Sequence, residues 1–70
     1  MKNHTFFELN GHKYYVDGEL TILNLVKYFD YNTSLLVLEH NHFICNKDKW
    51  NITFIQNNDK IEIVTIVGGG

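Results

Sequence analysis

Three glycines, Gly68, Gly69 and Gly70, follow directly on the apolar run IVTIV at the end of the sequence. A terminal α-carboxylate is ionised at neutral pH and can attack a phosphate, but it is a poor acyl donor until a partner activates it. Glycine has no Cβ and adopts almost any φ and ψ, so three extended residues can carry the carboxylate roughly 10 Å into a narrow channel. We therefore expect a reactive carboxylate on Gly70 at the end of a flexible tail. A frayed end, a cloning scar and a linker are the alternative interpretations.

The other residue types with catalytic or metal-binding chemistry form no recognisable set. His40, His42 and Cys45 lie close together in the sequence, but a zinc site needs four ligands at supporting spacing. We expect solvated loop histidines and a partly buried, inert thiol, because no basic cluster lies near the cysteine. The sequence has no nucleophile–base motif and no phosphate-binding loop. It therefore predicts a protein that is not an enzyme and that binds neither a metal nor a cofactor.

Composition restricts the class of protein further. Seventy residues with 44% hydrophobic and 14% aromatic side chains are enough for one small folded domain. The net charge is −2 and the lysines are scattered, so we expect neither nucleic-acid binding nor, without a long apolar run, membrane insertion. A single cysteine and no signal peptide favour a reducing compartment. The many Asn, Ile, Lys, Phe and Tyr residues, which have AT-rich codons, indicate a plastid or an AT-biased bacterium.

The elements that must position the tail begin with a hairpin. Two β-rich runs, Thr5–Leu9 and His12–Val16, flank Asn10-Gly11, a dipeptide that favours the type I′ turn. Strand alternation then assigns the two faces. The residues expected to point inward are Phe7, Leu9, Tyr14 and Val16, and those expected to face water are Glu8 and Lys13.

An amphipathic helix follows the hairpin. Thr21 is the predicted N-cap, because its hydroxyl can accept a hydrogen bond from a backbone N–H of the first turn. Apolar residues recur with helical spacing and predict one buried face. That face consists of Ile22, Leu25, Val26 and Phe29. Asn32 and the following Thr33-Ser34 are expected to end the helix.

The second half of the chain alternates short strands with turns. The apolar run at 35–40 predicts a central strand that is covered on both faces, and a short strand is expected within 41–46. Residues 47–51 predict one helical turn that places Trp50 on the core, and Asn57 or Asn58 is expected to adopt the αL conformation before the last strand. The order predicts an α+β fold, with one helix across a mixed sheet of four or five strands. The crossover through the helix favours parallel pairing of the first and third strands.

The last strand, within 60–67, has one face suited to a partner. Glu62 must face solvent, so alternation places Val64 and Ile66 on the same outer side, and Ile61, Ile63 and Thr65 against the helix. Scattered apolar side chains are normal on protein surfaces. Because these adjoin the expected reactive end, we interpret Val64, Ile66 and Val67 as a partner-docking surface. Residues 1–67 then form the folded domain, and 68–70 the tail.

These pieces together resemble the β-grasp, ubiquitin-like sulfur carriers of the ThiS type over essentially the whole chain. The matching segments are the LNG hairpin, the helix that opens at Thr21, the strand at 35–38, KDKW, NNDKIEIV and the terminal VGGG. Two segments depart from the family pattern. Asn57-Asn58-Asp59 replaces the usual Asp-Gly-Asp, although Asn tolerates the αL conformation. Asn46 occupies the place of a frequent proline.

The resemblance implies a specific chemistry. A ThiF-like adenylating enzyme would use ATP to activate the Gly70 carboxylate, and a cysteine desulfurase would be the ultimate source of sulfur for a thiocarboxylate. A ThiG-like thiazole synthase would then take the sulfur for thiamine. The expected location is the plastid stroma or the bacterial cytoplasm.

Three other functions remain open at this point. The small subunit of molybdopterin synthase shares the fold and the glycine tail, although such chains tend to be longer and to end in two glycines. A β-grasp module that binds partners without covalent chemistry would tolerate residues after Gly70. A tag that is conjugated to lysines would share the activation step but end in an isopeptide bond.

Overall fold

The computed structural model describes residues 4–66, and its regular elements follow the predicted order. The strands and the helix are β1 (His4–Leu9), β2 (His12–Asp17), α1 (Ile22–Tyr28), β3 (Leu36–His40), β4 (Phe43–Ile44) and β5 (Asp59–Thr65). Two short 3₁₀ turns lie at Thr33–Leu35 and Lys47–Lys49. The predicted boundary between a domain of residues 1–67 and a tail of 68–70 falls outside the described residues.

The five strands form one mixed sheet in the order β2-β1-β5-β3-β4. β1 pairs antiparallel with β2 and parallel with β5, and β3 pairs antiparallel with β4 and β5. The predicted parallel pairing of the first and third strands is therefore wrong. The chain does cross over the sheet after β2, but β5 inserts between β1 and β3 and becomes the parallel neighbour of β1.

The hairpin and the helix form for the local reasons that the sequence indicated. Asn10 and Gly11 have φ values of 50° and 82°, as the two central residues of a type I′ turn require. Thr21 Oγ1 accepts a hydrogen bond from the N–H of Asn24 at 3.1 Å, and Asn24 Oδ1 accepts one from the N–H of Thr21 at 3.0 Å. This reciprocal pair is a capping box at the start of α1. The helix is shorter than predicted, because Phe29 is already its C-cap.

The core lies between α1 and the inner face of the sheet. Its buried apolar residues are Phe7, Leu9, Ile22, Leu25, Val26, Leu38, Trp50, Ile55, Ile61 and Ile63. Tyr14 contacts Phe7 and Phe29 on this side but remains 37% exposed, because β2 is an edge strand. The prediction that the third strand is covered on both faces is wrong. Only Leu38 of β3 is fully buried, since no second layer formed by residues 4–66 covers the outer face of the sheet.

Within residues 4–66, no helix has the length and apolar character that crossing a bilayer requires.

Candidate functional site

β5 leads toward the glycines and is held from both sides at the centre of the sheet. β1 pairs with its first half, and β3 pairs with it from Ile61 to Thr65. The hairpin turn adds two further bonds. Asn10 donates its N–H to the carbonyl of Ile61 at 2.9 Å, and Asn10 Oδ1 accepts the N–H of Ile63 at 2.8 Å. The direction of the strand that precedes the tail is therefore set by contacts with distant parts of the chain.

A buried carboxylate fixes the start of β5. Asp59 is only 7% exposed, and its Oδ2 lies 2.6 Å from His40 Nε2 and accepts the backbone N–H of Gln56 at 2.7 Å. Asn41 Nδ2 donates to Asp59 Oδ1 at 2.9 Å, and Asn41 Oδ1 accepts the N–H of Lys60 at 2.8 Å. Because an ionised carboxylate only accepts, Nε2 of His40 carries a hydrogen and donates it to Asp59. The β3–β4 turn and the start of β5 are thus joined through side chains.

These contacts keep the Asp59 carboxyl ionised. Burial removes water from the charged form and on its own would raise its pKa. The hydrogen bonds from Asn41 and Gln56, and the hydrogen bond and charge of His40, outweigh that burial and hold the pKa of Asp59 below its ordinary value. The carboxylate therefore acts as a structural acceptor at the base of the strand that leads to the tail.

The two faces of β5 divide largely as predicted. Ile61 and Ile63 are buried, whereas Glu62, Val64 and Ile66 are exposed. Thr65 was predicted to face the helix but is exposed. Its partner on β3, Leu36, is only half-buried, so the core tapers toward this end of the sheet.

The outer face near the end of β5 carries an apolar surface, the β5 patch, formed by Val37, Val64 and Ile66. Val64 and Ile66 are 57% and 53% exposed. Val37 lies directly opposite Val64 on β3, so the two side chains share one face. The next pair on the same face of the sheet is Glu39 opposite Glu62. Two like charges face each other there, so the β5 patch borders a site that a basic group on a partner would relieve.

Comparison with known proteins decides the family. The model of the ThiS family matches residues 5–70, which is nearly the whole chain and includes the glycines. The chain belongs to the ThiS family. It is a ThiS-type β-grasp sulfur carrier, which confirms the resemblance and the fold class that the sequence predicted. Membership implies interaction with adenylating and sulfur-transfer enzymes in general.

Curated relatives of this ThiS-family chain come from algae. The uncharacterized protein ycf40 of Trieres chinensis is 61% identical over 66 residues, which cover 94% of this chain and 89% of the relative. The protein of the same name from Porphyra purpurea is 33% identical over 63 residues, which cover 90% of this chain and 89% of the relative. The ycf40 name indicates plastid genomes, and a plastid is one of the two origins, with an AT-biased bacterium, that the composition indicated.

A solved structure supports the fold independently. The thiamine biosynthesis protein (ThiS) from Geobacter metallireducens aligns with a TM-score of 0.81 over 94% of this chain and all of that chain. The two sequences are only 22% identical, so this comparison supports the fold and not the function.

One of the three candidate metal ligands, His40, does not lie where the sequence predicted. His40 was predicted to be a solvated loop residue, but it lies on β3 and binds Asp59. His42 is exposed, and Cys45 is half-buried with its Sγ 3.9 Å from Thr53 Oγ1. Among the described residues, no group of three His, Cys, Asp or Glu side chains is placed to hold a metal ion.

The predicted reactive end lies beyond the described part of the chain. Gly68, Gly69 and Gly70, and the predicted docking residue Val67, all fall outside residues 4–66. Two features of the site were missed by sequence reasoning. Val37 joins the β5 patch only through the pairing of β3 with β5, and the Asp59 cluster depends on contacts about 19 residues apart. The sequence placed Asp59 at the turn before the last strand, and the residue type alone does not show that this side chain is buried.

Proposed function

We propose that this ThiS-family chain carries sulfur for thiazole formation in thiamine biosynthesis. In this proposal a ThiF-like enzyme adenylates the Gly70 carboxylate with ATP and releases pyrophosphate. Sulfur that originates from a cysteine desulfurase then replaces the AMP, and Gly70 becomes a thiocarboxylate. A ThiG-like thiazole synthase takes the sulfur from it. The chain is a co-substrate of these enzymes, catalyses none of the steps and binds no cofactor of its own.

The observation that carries this proposal is the extent of the family match. It runs from residue 5 to residue 70, so the folded part and the glycines belong to one matched unit. The geometry is consistent with a carrier, because β5 is the strand that precedes the glycines and lies at the centre of the sheet. A strand fixed by Asn10 and Asp59 gives the tail a defined starting point from which to reach a partner.

We further propose that the β5 patch is the surface that the partner enzymes grip. Val64 and Ile66 are more than half exposed and lie just before the residues that must enter an active site. An enzyme that holds this patch would control where Gly70 arrives. The bordering pair of Glu39 and Glu62 suggests that the complementary surface is apolar with a basic rim. Within the plastid, the stroma is the location we propose.

The test is ATP–pyrophosphate exchange with the ThiF-like enzyme of the same source. Deleting Gly70 withdraws the carboxylate by roughly 3.3–3.6 Å, and appending one Ala after it overshoots by the same distance. Adenylation tolerates an error of only about 1 Å, so both variants should lose exchange. Their urea melts should match the wild type. Appending one Ala before Met1 is the matched control, and it should leave exchange unchanged.

The outcomes separate the competing functions. Exchange at the wild-type rate with the Ala-extended chain would refute the carrier proposal, because adenylation would then not require the carboxylate of Gly70. Absence of exchange with the unaltered chain would favour a non-covalent module. The intact mass of protein from its source should show exchange of one oxygen for sulfur, whereas an isopeptide adduct would indicate a lysine-conjugated tag. Copurification with the large subunit of molybdopterin synthase instead of thiazole synthase would identify the chain as the small subunit of molybdopterin synthase.

A further inference from the structure

β2 lies at one edge of the sheet, and its outer backbone groups face away from every strand within residues 4–66. The hydrogen bonds of Phe6 establish this. Its N–H donates to Asn57 Oδ1 at 2.8 Å, and its carbonyl accepts the N–H of Asn58 at 2.7 Å. Phe6 therefore turns its backbone away from β2. Its partner Tyr15 is then in a non-hydrogen-bonded pair, and points its own N–H and C=O to the free edge.

The backbone N–H and C=O groups of every second residue of β2 point to the same free edge. Lys13 and Asp17 share the parity of Tyr15, so these three residues present their backbone donors and acceptors outward. A strand with such an edge is a template for another strand unless proline, a bulge, short length or charged side chains without opposite charges on the partner block it. β2 has six residues and no proline, whereas β4, at the other edge, has only two residues.

An apolar groove runs beside this edge on the helix side. It has a volume of about 460 Å³ and lies between β2 and α1. Its lining includes Tyr14, Val16, Leu25, Tyr28 and Phe29. Tyr14 is 37% exposed and Tyr28 is 82% exposed. A strand added to β2 would direct alternate side chains toward this groove, so the occupant must be apolar at every second position.

We propose that the occupant is β2 of a second copy of this chain, which pairs antiparallel about a twofold axis at Tyr15. In this register Tyr15 faces Tyr15 of the second copy, and Lys13 faces Asp17 of the second copy. Tyr14 faces Val16 of the second copy on the helix side. The two sheets become one continuous sheet of ten strands.

Backbone geometry selects this register. All three outward-facing residues of each copy then lie in hydrogen-bonded pairs, with two N–H···O=C bonds in each pair. Sliding one copy by two residues in either direction leaves one outward-facing residue of each strand without a partner in the other strand. Sliding by one residue would place each outward-facing residue opposite one whose backbone groups already bond to β1, so the two edges could not form hydrogen bonds.

Side-chain charge supports the same register. Lys13 and Asp17 carry opposite charges and are both exposed, so each copy contributes one acid and one base to two symmetric pairs. Asp17 Oδ1 already lies 2.7 Å from His4 Nδ1. No bond to Oδ2 of Asp17 occurs among the described residues, so this oxygen can receive the lysine of the second copy. A strand partner with an acid opposite Asp17 would be disfavoured.

The outer face supplies an aromatic contact between the copies. Phe6 and Tyr15 stack with ring centroids 5.6 Å apart, yet they remain 55% and 63% exposed. Pairing at Tyr15 continues this row into the second copy, so four aromatic rings lie side by side across the twofold axis. β1 separates β2 from β5, so the β5 patch stays open in the dimer and both copies can still meet a partner enzyme.

The dimer should be weak and reversible. Edge pairing of two six-residue strands falls below the roughly 1,200–2,000 Å² of a standard stable interface. We expect a dimer dissociation constant on the order of 100 µM by sedimentation equilibrium, which corresponds to a transient contact. Lys13→Asp and Asp17→Lys should each weaken self-association about tenfold or more, because each makes both symmetric pairs repulsive.

An equimolar mixture of the two variants is the decisive measurement. Both pairs between positions 13 and 17 in the mixed dimer join an acid to a base, so association should return to the wild-type level. The matched control is Lys60→Asp. Lys60 lies opposite Glu8, as Lys13 does, but on β5, so this variant should dimerise like the wild type. Circular dichroism confirms that each variant is folded.

Amide hydrogen exchange tests the backbone pairing directly. As the concentration rises, the amides of Lys13, Tyr15 and Asp17 should become protected, whereas those of Tyr14 and Val16 are protected throughout by β1. A monomer at all concentrations into the millimolar range would overturn the proposal. Self-association without this alternating protection, or a mixture that fails to recover association, would equally overturn it.

Discussion

Replacing Asp59 tests whether the side-chain cluster at the start of β5 holds the domain together. Asp59→Ala removes the acceptor of hydrogen bonds from His40, Asn41 and Gln56. A bond to a charged group contributes about 1.5–3 kcal/mol, but water can replace Asp59 at the partly exposed His40. We therefore expect a loss of about 3 kcal/mol in the free energy of unfolding. A chain of this size has roughly 4–10 kcal/mol in all, so the loss should be severe.

The conservative variant gives a sharper expectation. Asp59→Asn must put an NH₂ group where one carboxylate oxygen was, and each oxygen accepts from a donor. Asn41 cannot turn its amide to compensate, because its Oδ1 already accepts the N–H of Lys60. One donor therefore faces another in either orientation, and we expect a loss of about 2 kcal/mol. Urea melts of the two variants and the wild type measure both values.

The same cluster predicts an acid dependence. The pKa of Asp59 is lowered in the folded state, so its contribution is fully present above the ordinary aspartate value of 3.8. That contribution is lost as the pH falls through the lower folded-state pKa. Urea melts between about pH 7 and about pH 2 should show this decline in the wild type and not in Asp59→Asn.

Asp30→Asn is the matched control for this prediction. Asp30 is exposed and has a φ of 55°, which Asn tolerates, so its stability should stay within about 0.5 kcal/mol of the wild type. The reasoning is refuted if Asp59→Asn is as stable as the wild type near neutral pH and keeps the same decline in acid.

Two further substitutions test the β5 patch and the helix cap. Val64→Asp or Ile66→Asp should keep the fold and weaken binding to the ThiF-like enzyme roughly ten- to hundredfold by calorimetry, since a buried anchor of this size contributes about 1.5–3 kcal/mol. Ile52→Asp is the control, because Ile52 is similarly exposed but lies outside β5, and this variant should bind normally. Unfolding of the Val64 variant would contradict the exposed position of Val64. Thr21→Ala should lower the free energy of unfolding, measured by urea melts, by about 1 kcal/mol. Thr33→Ala, at an exposed position, is the control and should not lower it. Equal losses in the two variants would argue against the capping box.

Features determined by neighbouring residues could be predicted from the sequence. The turn at Asn10-Gly11 could be predicted from the preference of that dipeptide for positive φ. The N-cap at Thr21 could be predicted from a hydroxyl that precedes an apolar helical repeat. The exposure of Val64 and Ile66 followed from alternation once Glu62 was assigned to solvent. Each inference rests on a repeat of two or 3.6 residues, which the sequence displays directly.

Features that depend on distant pairing could not be predicted in the same way. Alternation identifies a strand but not its neighbour, so β1 was assigned to the third strand, although its parallel partner is β5. The position of His40 depended on the same unknown. Asp59 comes within reach of the histidine only because β3 and β5 are adjacent, and the pattern around His40 alone resembled a solvated loop.

The central place of β5 has a consequence for how the molecule is made. β1 and β2 form one hairpin and β3 and β4 form another, and β5 is the strand that hydrogen-bonds to both. Its pairing with β1 closes a loop of some fifty residues, so we expect this pairing to form late and slowly in folding. During synthesis the two hairpins emerge first and stay unjoined until Asp59–Thr65 has left the ribosome. A chain interrupted within this strand would remain two separate hairpins and be open to proteolysis, so the domain becomes resistant only when the strand that precedes the glycines is complete.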